Sequence, residues 1–398
     1  MKKLFTLLFL LVVVLGLIQS CNEPLTEEQA NDETTMKSAN VKQSYIVVLN
    51  DAELETELAA VKGYEAKQEK AKSVAEKILK RTDITDGELG FVYGSAIKGF
   101  SVKIAPGQLK KLQADPLVSY IEENQVVTLV QPDIKITGKP APPTPVGQSV
   151  PWGITRVNGG VSGVGKTAWI IDTGIDLDHP DLTVNTALGK SFVVGVTSPD
   201  DDNGHGSHCA GIVAAKNNTI GVIGVAAGAT VVPVKVLNKR GSGTYDAIIA
   251  GVNYVAATGK PGDVANMSLG GGLSAALNTA VINAAATGIK FALAAGNEST
   301  DASTKSPASA NGPNIYTISA MASGDIWASY SNYGNPPVDF CEPGSSIYST
   351  YKGGGYATLS GTSMAAPHAA GILLLGNIRT DSNVKNDPDG NPDKIGEI

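Results

Sequence analysis

The stretch GGVSGVGKTAWIID, residues 159–172, decides the fold of this chain. Residues 160–167 within it fit G-x-x-x-x-G-K-[ST], the pattern of the phosphate-binding P-loop. A working P-loop follows a strand and opens a helix, so that backbone N–H groups face the phosphates. Here the glycines lead instead into AWIID, a short apolar run that ends in the carboxylate of Asp172. We therefore predict a loop entering a buried strand, and we favour this over nucleotide binding.

Further apolar runs follow this strand and are separated by alanine-rich helical stretches: TVVPVKVL, VANMSL, KFALAAG and IYTISAM. Strands that alternate with helices indicate an α/β domain with a mainly parallel sheet. In such sheets functional residues gather just beyond the carboxyl ends of the strands. Asp172 lies at one of these ends, although a turn or helix cap is the simpler role for a single Asp.

A second polar segment, DDNGHGSHCAGIVAAK, places His205 between two glycines at the start of a helix. We predict that this histidine is exposed at the positive end of the helix and is not packed in a core. His205 and His208 are three positions apart, which raises the alternative of metal binding. Zinc proteases instead carry histidines four apart around a Glu, so a metal is the weaker interpretation.

Two more segments complete a chemical set. Ser363 begins an apolar helix in LSGTSMAAPHAAGILLLG, and Asn297 follows a buried strand in FALAAGNEST. An N-cap serine and a turn asparagine are the simpler interpretations of each residue alone. Together with Asp172 and His205, however, they supply a nucleophile, a base, an orienting carboxylate and an oxyanion donor, as acyl transfer requires.

The segments IIDTGID, GHGSHCAG and GTSMAAPH resemble the three active-site blocks of the subtilisin-like serine proteases. The resemblance covers about residues 147–376, and Cys209 together with SPAS (306–309) resembles the proteinase K branch. It implies a three-layer α/β domain with a catalytic triad and an oxyanion donor, made of Asp172, His205, Ser363 and Asn297. Cys209 lies one helical turn after His205 on the same face, so we expect a buried thiol under the imidazole; a small apolar residue with a structural role is the simpler interpretation.

The resemblance further implies a cleft that clamps an extended peptide between two small-residue segments. One side is Gly241, Ser242 and Gly243, and the other is Ser268, Leu269 and Gly270. Small glycines beside the pocket favour a large apolar side chain before the scissile bond. Lys305 near the base of the pocket argues against that preference.

A structural calcium site is implied by the same resemblance. Its predicted ligands are the side chains of Gln148, Asp181 and Asn218 and the carbonyls of Lys216, Ile220 and Val222. This oxygen-rich set with a single carboxylate suits Ca²⁺ and not zinc. GQSVPWGI also resembles the mature N-terminus of the family, so we predict processing near Val146 and Gly147.

The region before this domain shows the order β-α-β-β-α-β, with one helix predicted over residues 52–81. This order indicates a small ferredoxin-like α+β domain. SYIVVL and GFSVKI resemble the family's inhibitory propeptide, which implies a zymogen. We expect the propeptide at 45–130, a linker with five prolines at 131–146, and the catalytic domain at 147–398.

The first residues resemble a secretion signal. Lys2 and Lys3 precede an apolar run over 4–18, which is shorter than the roughly 20 residues of a membrane-spanning helix. We predict a signal peptide over 1–20, lipidation of Cys21 and a tether over 21–44. The alternative is an ordinary signal peptide with Ser20 at its cleavage site. Either way the protein is expected outside the cytoplasm, at the cell envelope if lipidated.

Composition and charge limit the partners. The net charge of −7 argues against a nucleic-acid partner. We expect polypeptide substrates, the chain's own propeptide as inhibitor, a monomer, and membrane contact only through the lipid. The alternative is a surface-binding protein that keeps the scaffold without turnover. Only 398 − 363 = 35 residues follow Ser363, so the last helices of the domain look curtailed, and whether Cys209 and Cys341 pair stays open.

Overall fold

A computed structural model describes residues 41–50, 58, 60–129 and 147–398. The described residues within 44–104 and 108–398 form one compact unit. The predicted signal peptide, Cys21, most of the tether and the linker 131–146 lie outside the described residues, and the predicted domain boundaries stay predictions. Among the helices that are described, none is both long enough and apolar enough to cross a bilayer.

The N-terminal region is an α+β unit with a four-stranded sheet in the order β2-β3-β1-β4. Its elements are β1 (Gln43–Leu49), α1 (Tyr64–Arg81), β2 (Glu88–Gly94), β3 (Lys98–Ile104), α2 (Leu109–Gln113), β4 (Val118–Glu123) and β5 (Val126–Thr128). The β-α-β-β-α-β order predicted from the sequence is therefore present, and β5 continues the chain beyond it.

The single helix predicted over residues 52–81 is interrupted before α1. Helix α1 starts at Tyr64 and residues 60–63 are not helical, although Leu58 is, while residues 52–57 of the prediction lie outside the described residues. Gly63 at the helix start has φ of 88°, a conformation that a helix interior does not allow. The glycine therefore separates α1 from the preceding residues.

Side chains of β1 point alternately to two different cores, because successive residues of a strand face opposite sides of the sheet. Tyr45, Val47 and Leu49 pack with α1 in a core that belongs to the N-terminal region. Ile46 and Val48 belong to a larger core shared with the rest of the chain. The N-terminal sheet is thus buried on both faces.

The remaining chain is an α/β domain whose elements run from residue 152 to residue 397. Its first half contains α3 (Trp152–Arg156), β6 (Val161–Ser162), β7 (Thr167–Asp172), β8 (Thr183–Val184), β9 (Lys190–Ser191), α4 (His205–Ala214), β10 (Ala226–Ala227), β11 (Thr230–Lys235), β12 (Ser242–Thr244) and α5 (Tyr245–Thr258). Its second half contains β13 (Val264–Met267), α6 (Ala275–Ala285), β14 (Lys290–Ala294), β15 (Ile315–Ala322), β16 (Ile326–Trp327), β17 (Val338–Pro343), β18 (Ile347–Tyr351), β19 (Gly355–Leu359), α7 (Thr362–Leu375), β20 (Arg379–Asn383) and β21 (Lys394–Glu397).

The central sheet has the strand order β20-β21-β17-β15-β14-β13-β7-β11-β8. All of these neighbours pair in parallel except β20 and β21. The glycines of the P-loop match lead into β7, a strand of this sheet, and not into a helix. The prediction of a loop that enters a buried strand is confirmed.

Helices cover both faces of the central sheet. Trp169 and Ile171 of β7 pack in the core that contains α5 and α6. Ala168 and Ile170 of the same strand pack in the core that contains α4 and α7. Because β7 is buried on both sides, its sequence is a continuous apolar run, as expected for a parallel strand between two helix layers. The predicted three-layer architecture is confirmed.

The segment after α7 contains two strands. β21 pairs in parallel with β17 at Cys341 and Ile395, and β20 pairs with β21 in the antiparallel sense. Ile395 and Val384 pack around Cys341 in a small apolar cluster. The residues that follow α7 therefore extend the sheet and close this cluster.

Candidate active site

Asp172 and His205 form a buried pair at the end of the central strand β7. The Nδ1 atom of His205 lies 2.8 and 3.0 Å from the two carboxylate oxygens of Asp172. The backbone N–H of Thr173 donates to the same carboxylate at 2.6 Å. Because Nδ1 faces a carboxylate, the imidazole carries its proton on Nδ1 and presents Nε2 as an acceptor.

His205 is buried with an exposure of 1%, so the prediction that it is exposed at the helix end is wrong. The reason is the close approach of the first turn of α4 to the end of β7. A Cβ atom on Gly206 would lie 2.0 Å from the carbonyl oxygen of Gly174, a contact that only glycine permits. Gly206 thus allows the first turn of α4 to lie close enough to β7 for His205 to contact Asp172.

Burial and charge act in opposite directions on the imidazole. Burial disfavours the charged form, but the Asp172 carboxylate outweighs it, with Cys209 adding to the effect. The pKa of His205 is raised well above its ordinary value as a result. The pair is therefore built to stabilise an imidazolium once a proton arrives.

Cys209 and His208 of the same helix have structural positions. The Cys209 thiol is buried 4.0 Å from His205 Nδ1 and donates to the Ser363 carbonyl at 3.4 Å, as expected for a thiol under the imidazole. His208 Nε2 lies 3.1 Å from the carbonyls of Ile347 and Ala357, and burial lowers its pKa to about 3. His208 and His205 thus bind different partners, and Cys209 and Cys341 are both free thiols.

Ser363 is the second residue of α7, at the helix N-terminus where the sequence places it. Its hydroxyl donates to the Ser268 carbonyl at 3.1 Å, and its own carbonyl accepts from the Ser268 hydroxyl at 2.8 Å. Within the described part of the chain, Nε2 of His205 is buried and has no hydrogen-bond partner. We expect the Ser363 hydroxyl to supply one, because catalytic hydrogen bonds often tighten only when substrate binds.

Asn297 is held by the start of α7. Its Oδ1 accepts from the backbone N–H of Thr362 at 2.8 Å and from the Thr362 hydroxyl at 2.9 Å. These two bonds turn the Nδ2 donor away from Thr362. Gly361 has φ of 146°, and a Cβ there would lie 3.3 Å from Nδ2, so the glycine leaves room beside the amide. Asn297 and Ser363 line one pocket.

The first predicted cleft segment already pairs with a strand of the N-terminal region. β5 lies antiparallel to β12, with Thr128 opposite Ser242 and Val127 opposite Gly243. The backbone N–H of Leu129 donates to the carbonyl of Gly241 at 3.0 Å. All three predicted residues of this segment thus bind an extended peptide by main-chain pairing.

The second predicted cleft segment forms the wall of the pocket that contains Ser363. Ser268, Leu269 and Gly270 line this pocket, and Leu129 lines it as well. Its other lining residues include Ala294, Ala308, Glu298 and Lys305. The segments predicted to form the two sides of the cleft are thus both in place around residues 126–129.

The N-terminal region is anchored to helices α5 and α6, which the sequence did not predict. The Glu122 carboxylate accepts from the backbone N–H of Ala276 at 3.0 Å and from the Ser274 hydroxyl at 2.8 Å, at the start of α6. Asn253 in α5 accepts from the N–H groups of Ser95 and Ala96 at 2.8 and 2.9 Å. A carboxylate at a helix N-terminus is favourable because it meets unpaired N–H groups and the positive dipole end.

Lys235 is a buried cation beside the Asp172–His205 pair. The sequence analysis did not identify this lysine. It is the last residue of β11 and stands opposite Asp172 in the strand register. Its ammonium is fully buried and donates to the Thr173 carbonyl and, at 2.7 Å, to Asp202. The sequence signal for this residue is a lysine at the end of the apolar run TVVPVK. The hydrogen-bond partners of Lys235 lie in other loops, so the run alone does not identify them.

The predicted calcium ligands converge around Asp181. The Gln148 amide donates to the carbonyls of Lys216 and Val222 at 2.6 and 3.0 Å. The Asn218 amide donates to Asp181 at 2.8 Å and accepts from the N–H of Ile220 at 2.8 Å. Asp181 is fully buried, and burial raises its pKa.

This donor set fits a hard cation. Buried oxygens from a carboxylate and two carbonyls face the amide groups of Gln148 and Asn218, and each amide can turn to present its oxygen. Within the described residues, the Asp181 carboxylate accepts hydrogen bonds from the Asn218 amide, the Val222 N–H and the Tyr356 hydroxyl, and none of these three donors is a cation. A bound cation would compensate this charge.

Comparison with known proteins agrees with this geometry. Residues 165–379 match the subtilase family, and residues 44–130 match the peptidase inhibitor I9 family. Alkaline serine exoprotease A of Vibrio alginolyticus is 39% identical over 299 residues, which are 71% of this chain and 52% of that protein. M-protease of Shouchella clausii (strain KSM-K16) is 38% identical over 341 residues, which are 84% of this chain and 81% of that protein.

A solved structure of a cold-adapted subtilisin-like serine proteinase has 38% sequence identity and a TM-score of 0.56, covering 61% of this chain and 96% of that one. The chain therefore belongs to the subtilase family of serine proteases. It carries an inhibitor I9 propeptide domain before its subtilisin-like domain.

Proposed function

We propose that this chain is a secreted endopeptidase that hydrolyses peptide bonds through Ser363, His205 and Asp172. The Ser363 hydroxyl attacks the peptide carbonyl while His205 Nε2 takes its proton. The tetrahedral oxygen is stabilised by Asn297 Nδ2 and the backbone N–H of Ser363. His205 then protonates the leaving amine, and water hydrolyses the acyl-enzyme by the same route. The observation that carries the proposal is the buried Asp172–His205 pair, whose imidazole lies 4.0 Å from the same Cys209 thiol that donates to the Ser363 carbonyl at 3.4 Å.

We further propose that the chain is a zymogen that processes itself. β5 lies in the cleft as an extended peptide would, and Leu129 lines the pocket together with Ser363. This register favours a first cut directly after the paired segment, within two residues of Leu129. Processing near Val146 and Gly147 stays a prediction, and it would then follow as a second cut that removes the linker.

Self-cleavage tests the peptidase proposal. We expect residues 22–398 to convert into two pieces, and the same chain with Ser363→Ala to stay intact, because only the former has the nucleophile. The measurement is a denaturing gel with the intact mass of each piece. A first N-terminal fragment that ends near Leu129 supports a first cut at the end of β5. A fragment that ends near Val146 supports a first cut at the end of the linker. Two intact chains would favour the binding-protein alternative.

We also propose that Asp181 and its neighbours hold a structural Ca²⁺. Gln148, Asp181 and Asn218 with the carbonyls of Lys216, Ile220 and Val222 would supply the oxygens. The ion would tie the segment at Gln148 to the loop after α4, and it has no part in the chemical step.

Calcium removal is expected to lower the melting temperature of the Ser363→Ala chain by roughly 5–10 °C. A ligand at 100 times its Kd stabilises by about 2.7 kcal/mol, and each kcal/mol shifts Tm by about 2–4 °C in a chain of this size. Calorimetry with Ca²⁺ or a chelator measures the shift. Asp181→Asn should abolish the calcium dependence, whereas Asn in place of the exposed Asp178 should keep it. A shift that survives Asp181→Asn would place the ion elsewhere.

Secretion and lipidation of Cys21 are proposals that rest on the sequence pattern alone. The positively charged start, the apolar run and the cysteine support them. A monomer that contacts the membrane only through this lipid is proposed on the same basis.

A further inference from the structure

Lys235 carries a charge at a strand position where an apolar side chain would suffice. It is the last residue of β11 and stands opposite Asp172 of β7 in the strand register. Its ammonium is fully buried. A buried charge is costly unless it is paired and hydrogen-bonded. Packing of the sheet therefore does not explain the lysine, and the reason for it lies in its contacts.

The two partners of the ammonium leave its charge only partly compensated. It donates to the Thr173 carbonyl and, at 2.7 Å, to the carboxylate of Asp202. The side chain of Asp202 is 45% exposed, whereas that of Lys235 is fully buried. Water therefore screens the negative charge of Asp202 more strongly than the positive charge of Lys235. The pair acts on the groups around it as a partly compensated cation.

Thr173 connects Lys235 with both members of the catalytic pair. Its N–H donates to the Asp172 carboxylate at 2.6 Å. Its hydroxyl accepts from the N–H of Gly206, the residue after His205, at 2.9 Å. Its carbonyl accepts from the Lys235 ammonium. A donor that fixes this carbonyl therefore also fixes the strand end that carries Asp172 and the helix start that carries His205.

Other titratable side chains pack around Lys235 and His205 from the loop before α4, from α4 itself and from the end of β18: Asp201, His208, Cys209, Tyr351 and Lys352. Burial lowers the pKa of His208 to about 3. Burial raises the pKa of Cys209 and of Tyr351. These three groups are therefore uncharged at neutral pH.

The two remaining groups have partners of their own. The Asp201 carboxylate accepts from the hydroxyls of Thr173 and Ser207 at 2.9 and 2.6 Å. Lys352 donates to the backbone carbonyl of Asp202 at 2.7 Å. Neither contact involves the buried ammonium, so we expect both groups to stay in place when that ammonium is removed.

We infer that Lys235 is a positioning residue of the peptidase, which fixes the turn after Asp172 through the Thr173 carbonyl and whose charge keeps the enzyme active at lower pH. The Asp172 carboxylate favours the charged imidazole of His205, and a nearby cation opposes it. Only the uncharged imidazole can take the proton of Ser363, so a group that opposes its charging moves the loss of activity to lower pH. The inference rests on the proposed peptidase function and adds a residue to it.

The test follows kcat, KM and the acid limb of the kcat/KM profile in propeptide-free enzyme. Lys235→Met removes the cation, so the acid limb should move to higher pH by roughly half a unit. Its kcat should fall about tenfold with little change in KM, because the turn after Asp172 loses its donor. Asp202→Asn removes the paired carboxylate and keeps the cation, so its acid limb should move to lower pH. Lys235→Arg keeps both charge and donor and should restore the wild-type limb.

The charge of His205 can also be followed without catalysis. In the Ser363→Ala chain, the NMR signals of the His205 ring report its protonation. The pH at which they titrate should shift in opposite directions when Lys235→Met or Asp202→Asn is added. This measurement requires no turnover, so it separates the inference from the proposed function. Lys260→Met, at an exposed lysine before β13, is the control and should change neither the acid limb nor the titration.

Opposite shifts in Lys235→Met and Asp202→Asn would support the inference, because a lysine with a merely structural role would lower stability without producing them. Shifts in the same direction, or none, would overturn it while leaving the peptidase intact. If Lys235→Met does not fold, an acid limb that stays in place in Asp202→Asn would still overturn it. Absence of Ser363-dependent hydrolysis would overturn the proposed function, and the NMR titration would then still decide whether Lys235 opposes the charging of His205.

Discussion

His205→Ala is expected to lower kcat about 10⁶-fold, and adding Ser363→Ala is expected to lower it no further. The magnitude is that measured for subtilisin itself, where nucleophile and base act as one unit. Without the imidazole, the Ser363 hydroxyl has no base to take its proton. Removing the hydroxyl as well therefore does not lower kcat further. The measurement is kcat for a peptide p-nitroanilide with three chains: His205→Ala, Ser363→Ala and the double variant. Each chain is first cut by trypsin in the predicted linker, at Lys135 or Lys139, and freed of its propeptide.

His208→Ala is the matched control for this prediction, because His208 lies on the same helix and its imidazole Nε2 lies 3.1 Å from the carbonyls of Ile347 and Ala357, away from Ser363 and Asp172. It should reduce stability but not the turnover of the folded fraction. A His205→Ala chain that retains more than about 10⁻³ of the activity, or a double variant far slower than either single one, would contradict the assignment.

Asp172→Asn is expected to lower kcat about 10⁴-fold, the loss measured in trypsin for the corresponding change. The asparagine amide would donate to Nδ1 of His205 and so place the imidazole proton on Nε2, where it blocks proton transfer from Ser363. The pH profile should change as well. The carboxylate raises the pKa of His205, so in the wild type activity is lost as pH falls through that raised value.

With the carboxylate gone, the His205 pKa falls, and the acid limb of the remaining kcat/KM profile should move to lower pH. The measurement is kcat/KM against pH for both proteins. Asn in place of the exposed Asp200, whose carboxylate accepts from Leu177 N–H, is the control and should leave the limb unchanged. An acid limb that does not move would mean that Asp172 does not set the charge state of His205.

The sequence predicted those parts of the molecule that depend on neighbours along the chain. The apolar run before Asp172 is continuous because β7 is buried on both faces. A strand of this kind after the glycines distinguishes the segment from a P-loop, in which a helix follows them. The glycines around His205 indicated a helix start with an exposed histidine, and the exposure was wrong. They did not reveal that Gly206 would bring the imidazole against Asp172, since that depends on the carbonyl of Gly174.

Features that depend on distant partners could not be predicted from the sequence. In the sequence, Glu122 is one of two acidic residues in a predicted strand. Its contact with the start of α6 depends on Ala276, which lies 154 positions away. Lys235 reads as a polar residue that closes an apolar run, and its burial depends on the loops of Thr173 and Asp202. Gly63 marks the start of α1, but a glycine alone does not say on which side the helix lies.

The division of β1 between two cores has a consequence for the direction of activation. Ile46 and Val48 are covered only while the N-terminal region stays docked, because they belong to the core it shares with the subtilisin-like domain. Once cut and released, this fragment would expose apolar residues to water and lose part of its stability. A loosened polypeptide is a good protease substrate, so we expect the inhibitor to be consumed by the enzyme it leaves. Activation would then work as a ratchet, in which each released inhibitor is destroyed before it can rebind.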